Sequence, residues 1–127
     1  MEDFVNFEIA KKLKEKGYPQ VKKNTLAMYN EKGEWFSLAR NLDEFEYCFD
    51  DFDEHDCVAP TISQVLKWLR NEKGIHITIC VCGDGWFYEV IHISSGKSLI
   101  EDYEDDVIQS YEDATIAGIE YVISNLI

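Results

Sequence analysis

Ile75-His76-Ile77-Thr78-Ile79-Cys80-Val81-Cys82-Gly83-Asp84-Gly85-Trp86-Phe87-Tyr88-Glu89-Val90-Ile91-His92-Ile93 is the stretch on which the fold turns. Four β-branched apolar residues recur at every second position from Ile75 to Val81. That period of two belongs to a strand with one buried face. Gly83-Asp84-Gly85 breaks the run, and a second β-rich run follows, so the segment reads as an antiparallel hairpin. A three-residue loop would pair Val81 with Phe87, Ile77 with Ile91 and Ile75 with Ile93. The opposite face would then carry Cys82 beside Trp86, Cys80 beside Tyr88 and His76 beside His92.

Helix signals flank this hairpin. On its N-terminal side, Thr61-Ile62-Ser63-Gln64 has the spacing of a capping box, in which hydroxyl and amide satisfy reciprocal backbone N–H groups. Ile62, Val65, Leu66 and Leu69 continue it as an apolar stripe to about Glu72, where Gly74 ends the helix. On the C-terminal side, Ser94-Ser95-Gly96-Lys97 makes a turn and residues 98–103 read as a short strand. A last helix opens after Ser110, with Asp113 at the capping-box position and Ala114, Ile119, Val122 and Leu126 along it.

The N-terminal part repeats the theme. Residues 6–16 read as a helix with Phe7, Ile9, Ala10 and Leu13 on one face, lysines on the other, and Gly17 as its stop. Leu26 and Met28, then Phe36 and Leu38, alternate on either side of Glu31-Lys32-Gly33, a three-residue turn with glycine in the left-handed position. This pairs Met28 with Phe36 and sets Tyr29 beside Trp35. Residues 44–49 alternate as a third strand. The expected order is α-βββ-α-βββ-α: an α+β domain over residues 1–127, with antiparallel sheets and three helices. Glu15-Lys16-Gly17 is echoed by Glu72-Lys73-Gly74, and Gly33-Glu34-Trp35-Phe36 by Gly85-Trp86-Phe87. These echoes make residues 1–56 and 57–127 the halves of a candidate internal duplication.

Composition narrows the function classes. The 127 residues are 46% hydrophobic, enough for a core, and no apolar run reaches the ~18–20 residues of a membrane span. Met1-Glu2-Asp3-Phe4 lacks the basic flank and apolar stretch of a secretory signal. Cys48, Cys57, Cys80 and Cys82 therefore read as reduced thiols in a cytoplasm. Net charge is −13. Such a surface repels nucleic acid and attracts a basic partner, although acidity also serves solubility alone.

No catalytic or metal signature emerges, and no cofactor is expected. Cys48, His55, Cys57, Cys80 and Cys82 contain no Cys-x-x-Cys pair. Asp51-x-Asp53-x-His55 lacks the glycine and distal glutamate of a calcium loop. His76 and His92 near Cys80 are a constellation that any hairpin can produce. Two surfaces remain as candidates for contact. One is aromatic: with helices on one sheet face, the other carries Tyr29, Trp35, Trp86 and Tyr88, unless a helix or a twin subunit covers them as ordinary core. The other is the acidic loop Asp50, Asp51, Asp53, Glu54 and Asp56, joined by the acids of residues 101–106, which solvation alone would also explain.

Ala59-Pro60-Thr61-Ile62-Ser63-Gln64-Val65-Leu66-Lys67-Trp68-Leu69-Arg70 resembles a family of small proteins from gut anaerobes and their prophages and mobile elements. Phe7-Glu8-Ile9-Ala10-Lys11-Lys12-Leu13, Ser110-Tyr111-Glu112-Asp113-Ala114 and Ala117-Gly118-Ile119-Glu120-Tyr121-Val122-Ile123 fit the same family. The likeness carries no activity and so no catalytic residues. Residues 77–123 are also similar to the HicB-type antitoxin module, through the Gly-Asp-Gly turn into Trp86 and the helix opening at Tyr111-Glu112-Asp113-Ala114. That resemblance implies pairing with a small basic toxin; the chain departs from it in its two further helices and the lack of a DNA-binding appendage. The expectation is a non-enzymatic accessory or binding protein that acts by protein–protein contact on an unknown protein, with a basic partner and a homodimer as the candidates. The alternative is an acidic inhibitor, antitoxin or anti-defence protein, of a basic nucleic-acid-binding partner.

Overall fold

The computed structural model describes residues 3–20, 27–37, 55–99 and 108–127, apart from the side chain of Cys82. Along the chain run α1 (Phe7–Glu15), β1 (Ala27–Tyr29), β2 (Trp35–Ser37), β3 (Cys57–Val58), α2 (Ile62–Trp68), β4 (Ile75–Cys82), β5 (Gly85–His92), β6 (Lys97–Ser98) and α3 (Tyr111–Asn125). The chain is α+β with two three-stranded antiparallel sheets, in the helix and strand order read from the sequence. Residues 1–62 and 63–127 form two compact units.

In the first unit, Asn6 caps α1: its side-chain oxygen accepts the Ile9 N–H at 2.9 Å. Ile9, Ala10 and Leu13 are buried, and Val5 joins them from the segment before the helix. The sheet order is β2-β1-β3, with Met28 opposite Phe36 and Tyr29 opposite Trp35, as the three-residue turn predicts. Gly33 sits at φ +83°, and the Asn30 side-chain oxygen accepts the N–H groups of Lys32 and Glu34, both at 2.9 Å. The third strand of this sheet is Cys57–Val58, antiparallel to β1. The sequence pattern had singled out residues 44–49 instead, which lie outside the described residues, as do Leu26 and Leu38. Cys57-Val58-Ala59-Pro60 is buried on every side chain, so it has no alternation to betray a strand.

The second unit corrects the hairpin register. The turn has two residues, Gly83 and Asp84, and Cys82 pairs with Gly85. Gly83 has φ +56°, which the favoured two-residue hairpin turns require at their first position. The slip of one residue moves every side chain of the return strand to the other face. Trp86, Tyr88, Val90 and His92 therefore stand beside Val81, Ile79, Ile77 and Ile75, while Phe87 stands beside Cys80. The sheet order is β4-β5-β6, and Ile108 extends it by exchanging two hydrogen bonds with Trp86, at 2.8 and 2.9 Å.

Helix α3 begins after Ser110, whose hydroxyl oxygen accepts the Asp113 N–H at 3.0 Å. It lies on the face of Ile77, Tyr88 and Val90, burying Ala114, Gly118, Ile119, Val122 and Ile123. Helix α2 passes into a π-helical turn, Leu69–Lys73, closed by Gly74 at φ +65°, whose N–H reaches back to the Leu69 carbonyl. Among the described residues the two sheets differ in strand order. The first strand of its trio is central in one, β1, and the second is central in the other, β5.

Candidate interaction surface

The four aromatic residues expected on one exposed face fall into different environments. Tyr29 is half-buried, and its hydroxyl donates to the Val5 carbonyl at 2.7 Å. Its ring lies 5.5 Å from that of Phe7, the first residue of α1. Phe7 also closes over the hairpin turn: a Cβ on Gly33 would come within 3.0 Å of the Phe7 ring. Tyr29 thus ties the N-terminal segment to the sheet.

Trp86 and Tyr88 belong to the packing under α3. Trp86 meets Tyr111 edge-on at 5.5 Å and 87°, and Tyr88 lies 6.2 Å from Tyr121. The register slip is the cause, because it turns both side chains toward the helix. Of the two placements the sequence left open for Trp86 and Tyr88, an uncovered face or cover by a helix, the structure shows the second.

Trp35 remains an exposed aromatic, at 46%. Phe4 supports it from one side, with ring centroids 5.6 Å apart in a T-shaped pair. Its neighbour Phe36 points to the opposite sheet face and is equally exposed at 46%. Pattern alone placed Phe36 in the core beside Met28. It does stand opposite Met28, which is buried, but among the described residues β2 is the outer strand of its sheet. An edge position, legible only once strand order is known, explains the difference. Trp35 and Phe36 put two adjacent aromatic side chains on one edge strand, accessible from both faces.

Of the acidic loop, Asp50, Asp51, Asp53 and Glu54 lie outside the described residues. Asp56 is buried, at 8% exposure, and its backbone carbonyl accepts the Lys14 ammonium at 2.6 Å. Asp56 thus packs against α1 and does not stand out as a solvated carboxylate.

Among the described residues the thiols and histidines do not assemble. Cys57 is buried beside Tyr29. Burial pushes its thiol pKa up, opposed by the charge of Lys14, reinforced by that of Asp56 and opposed again by Lys11. A thiol held in its neutral form is a poor nucleophile. His76 and Cys80 share one face of β4 but stand four residues apart, about 13 Å along a strand. His92 lies on the other face, where its Nδ1 is 3.0 Å from the Ser94 hydroxyl. Among the described residues no three His, Cys, Asp or Glu side chains converge as a metal site, and no helix is long and apolar enough to cross a membrane.

No protein-family model matches the chain, and neither the curated proteins nor the solved structures searched contain a match to it.

Proposed function

We propose that the chain is a non-enzymatic accessory protein of the cytoplasm, of mobile-element origin, that acts by protein–protein contact. The observation that carries this reading is the pair Trp35 and Phe36, both 46% exposed on β2, the outer strand of its sheet among the described residues. Large aromatic side chains held at a surface are the usual anchors of protein interfaces, and Trp35 is already positioned by Phe4. The test is a tagged pull-down from the native host, read by mass spectrometry, with wild type, Trp35→Ala and Phe36→Ser. Loss of a salt-resistant partner in both variants, with the circular dichroism unchanged, is the expected result. A partner retained by both variants would remove this reading.

A second reading is favoured by the net charge of −13: an acidic inhibitor that presents carboxylates to a basic, nucleic-acid-binding protein. Its partner would be recovered at low salt and lost at high salt, and neutralising Asp50, Asp51, Asp53 and Glu54 would weaken capture. Asp56, buried against α1, is left out of that set. Capture that ignores salt would sink the inhibitor reading.

A further inference from the structure

Strand β4 is the longest uncovered sheet edge among the described residues, and its hydrogen-bonding direction can be assigned. Gly74, one residue before the strand, accepts the Ile93 N–H at 2.9 Å, and at the far end Cys82 and Gly85 close the two-residue turn. Hydrogen-bonded pairs alternate along an antiparallel ladder, so His76, Thr78, Cys80 and Cys82 bond to β5. The N–H and C=O groups of Ile75, Ile77, Ile79 and Val81 point the other way. No partner for these groups is found among the described residues.

Natural edges are blunted by charge, proline, bulges or covering groups. Ile75–Cys82 contains no Lys, Arg, Asp, Glu or Pro, and its register with β5 runs unbroken over eight pairs, without a bulge. The edge strand β3 of the other sheet differs, since the Val58 N–H is taken by the Gln20 side chain at 2.8 Å. Val81, at 69% exposure, is the most exposed of the large hydrophobic residues and sits on the uncovered strand.

We propose that β4 pairs antiparallel with β4 of a second copy of this chain, about a two-fold axis at Thr78, to form a continuous six-stranded sheet. About that axis Ile77 pairs with Ile79 of the twin and Ile75 with Val81, using the free backbone groups on both sides. The same pairing lays apolar on apolar along the helix-covered face, and Val81 gains Ile75 as its neighbour. On the opposite face Thr78 meets its own copy and His76 meets Cys80. Both α3 helices remain on one side of the joined sheet. An isologous contact needs a self-complementary patch, and an uncharged strand of β-branched residues supplies one. This pairing does not depend on Trp35 or Phe36.

Sedimentation equilibrium on the full chain tests it, over a range of concentration and salt. Wild type should reach twice the chain mass. Salt should strengthen the dimer, because it screens repulsion between two chains of −13 each; binding to a basic protein would respond in the opposite sense. Ile79→Pro removes an outward N–H, and hence two interchain bonds by symmetry, while sparing the ladder to β5. It should raise the dimer Kd about thirtyfold or more. Thr78→Glu sets two like charges opposite each other on the axis and guards against a fold defect in the proline variant; its Kd should rise about fivefold or more. A wild type that stays monomeric overturns the proposal, even if β4 captures an extended segment of a different protein. So does a dimer that neither variant weakens.

Discussion

The sheet of β1, β2 and β3 and the sheet of β4, β5 and β6 are both three-stranded and antiparallel, yet they treat their aromatic residues and edges in opposite ways. In the first unit one edge is taken by Gln20, and Trp35 and Phe36 stand half in solvent. In the second the hairpin strands are eight residues long, Trp86 and Tyr88 are packed under α3, and the outer edge of β4 has no strand partner among the described residues. A long hairpin needs a helix to bury its apolar face, and the helix claims the aromatics. The same sequence cue, Gly-(x)-Trp-Phe after a turn, thus marks exposed residues in one sheet and helix-packed residues in the other.

The largest effect should come from the helix side of the second unit. A Cβ on Gly118 would lie 2.8 Å from the Ile77 Cγ2 and 3.3 Å from the Tyr88 side chain. Gly118→Val therefore has to push α3 off the sheet, and overpacking of this kind costs about 3 kcal/mol. Urea denaturation should show that loss, and hydrogen exchange should place it in the amides of β4 and β5. A neutral or stabilised variant would mean that α3 does not approach the sheet this closely, and the contrast between the units would fail at its origin.

Trp86→Ala and Trp35→Ala sharpen the comparison directly. Trp86 is half-buried against Tyr111, so its truncation should cost about 2 kcal/mol, below the range for a fully buried tryptophan. Trp35 is 46% exposed with one ring contact, so its truncation should cost less than about 1 kcal/mol. Chemical denaturation of the two variants beside wild type reads both values. Equal losses would show that the two tryptophans are alike, and the assignment of Trp35 to a surface role would lose its basis.

Much of this contrast was legible in the sequence, and the exceptions share a cause. Local chemistry identified its elements: the cap at Asn6–Ile9 aside, the apolar period of α1, the glycine turn at Gly33, the Ile75–Val81 alternation and the Ser110 start all follow from neighbours along the chain. What local chemistry does not encode is a count of one residue in a turn. Gly83-Asp84-Gly85 is compatible with a two-residue or a three-residue loop, and the choice reverses which face receives Trp86 and Tyr88. Nor does it encode strand order, which makes β2 an edge and leaves Phe36 exposed. Cys57–Val58 joins β1 across almost thirty residues of chain, a non-local pairing that two buried residues cannot signal. The acidic residues gave the least: only Asp56 of the expected cluster lies among the described residues, and its burial against Lys14 follows from tertiary packing rather than from its acidic neighbours.

The smallest effect is electrostatic and belongs to the first unit. Burial raises the pKa of the Cys57 thiol above its ordinary 9.0 and those of the Tyr18 and Tyr29 phenols above 10.0, with the Cys57 charge adding to the shift at Tyr29. All three groups are neutral in both folded and unfolded chains below about pH 8, so they contribute no pH dependence there. Above that, the unfolded chain releases its protons first, and stability falls as pH rises from the ordinary values through the raised ones. Urea midpoints should therefore be level near neutrality and decline from about pH 9 upward. Cys57→Ala removes the group that titrates first and relieves Tyr29 of its charge, so the decline should begin nearer pH 10. An unchanged onset in that variant would show that the thiol is not held neutral beside β1, and that the first unit is less tightly closed around Tyr29 than its hydrogen bond to Val5 implies.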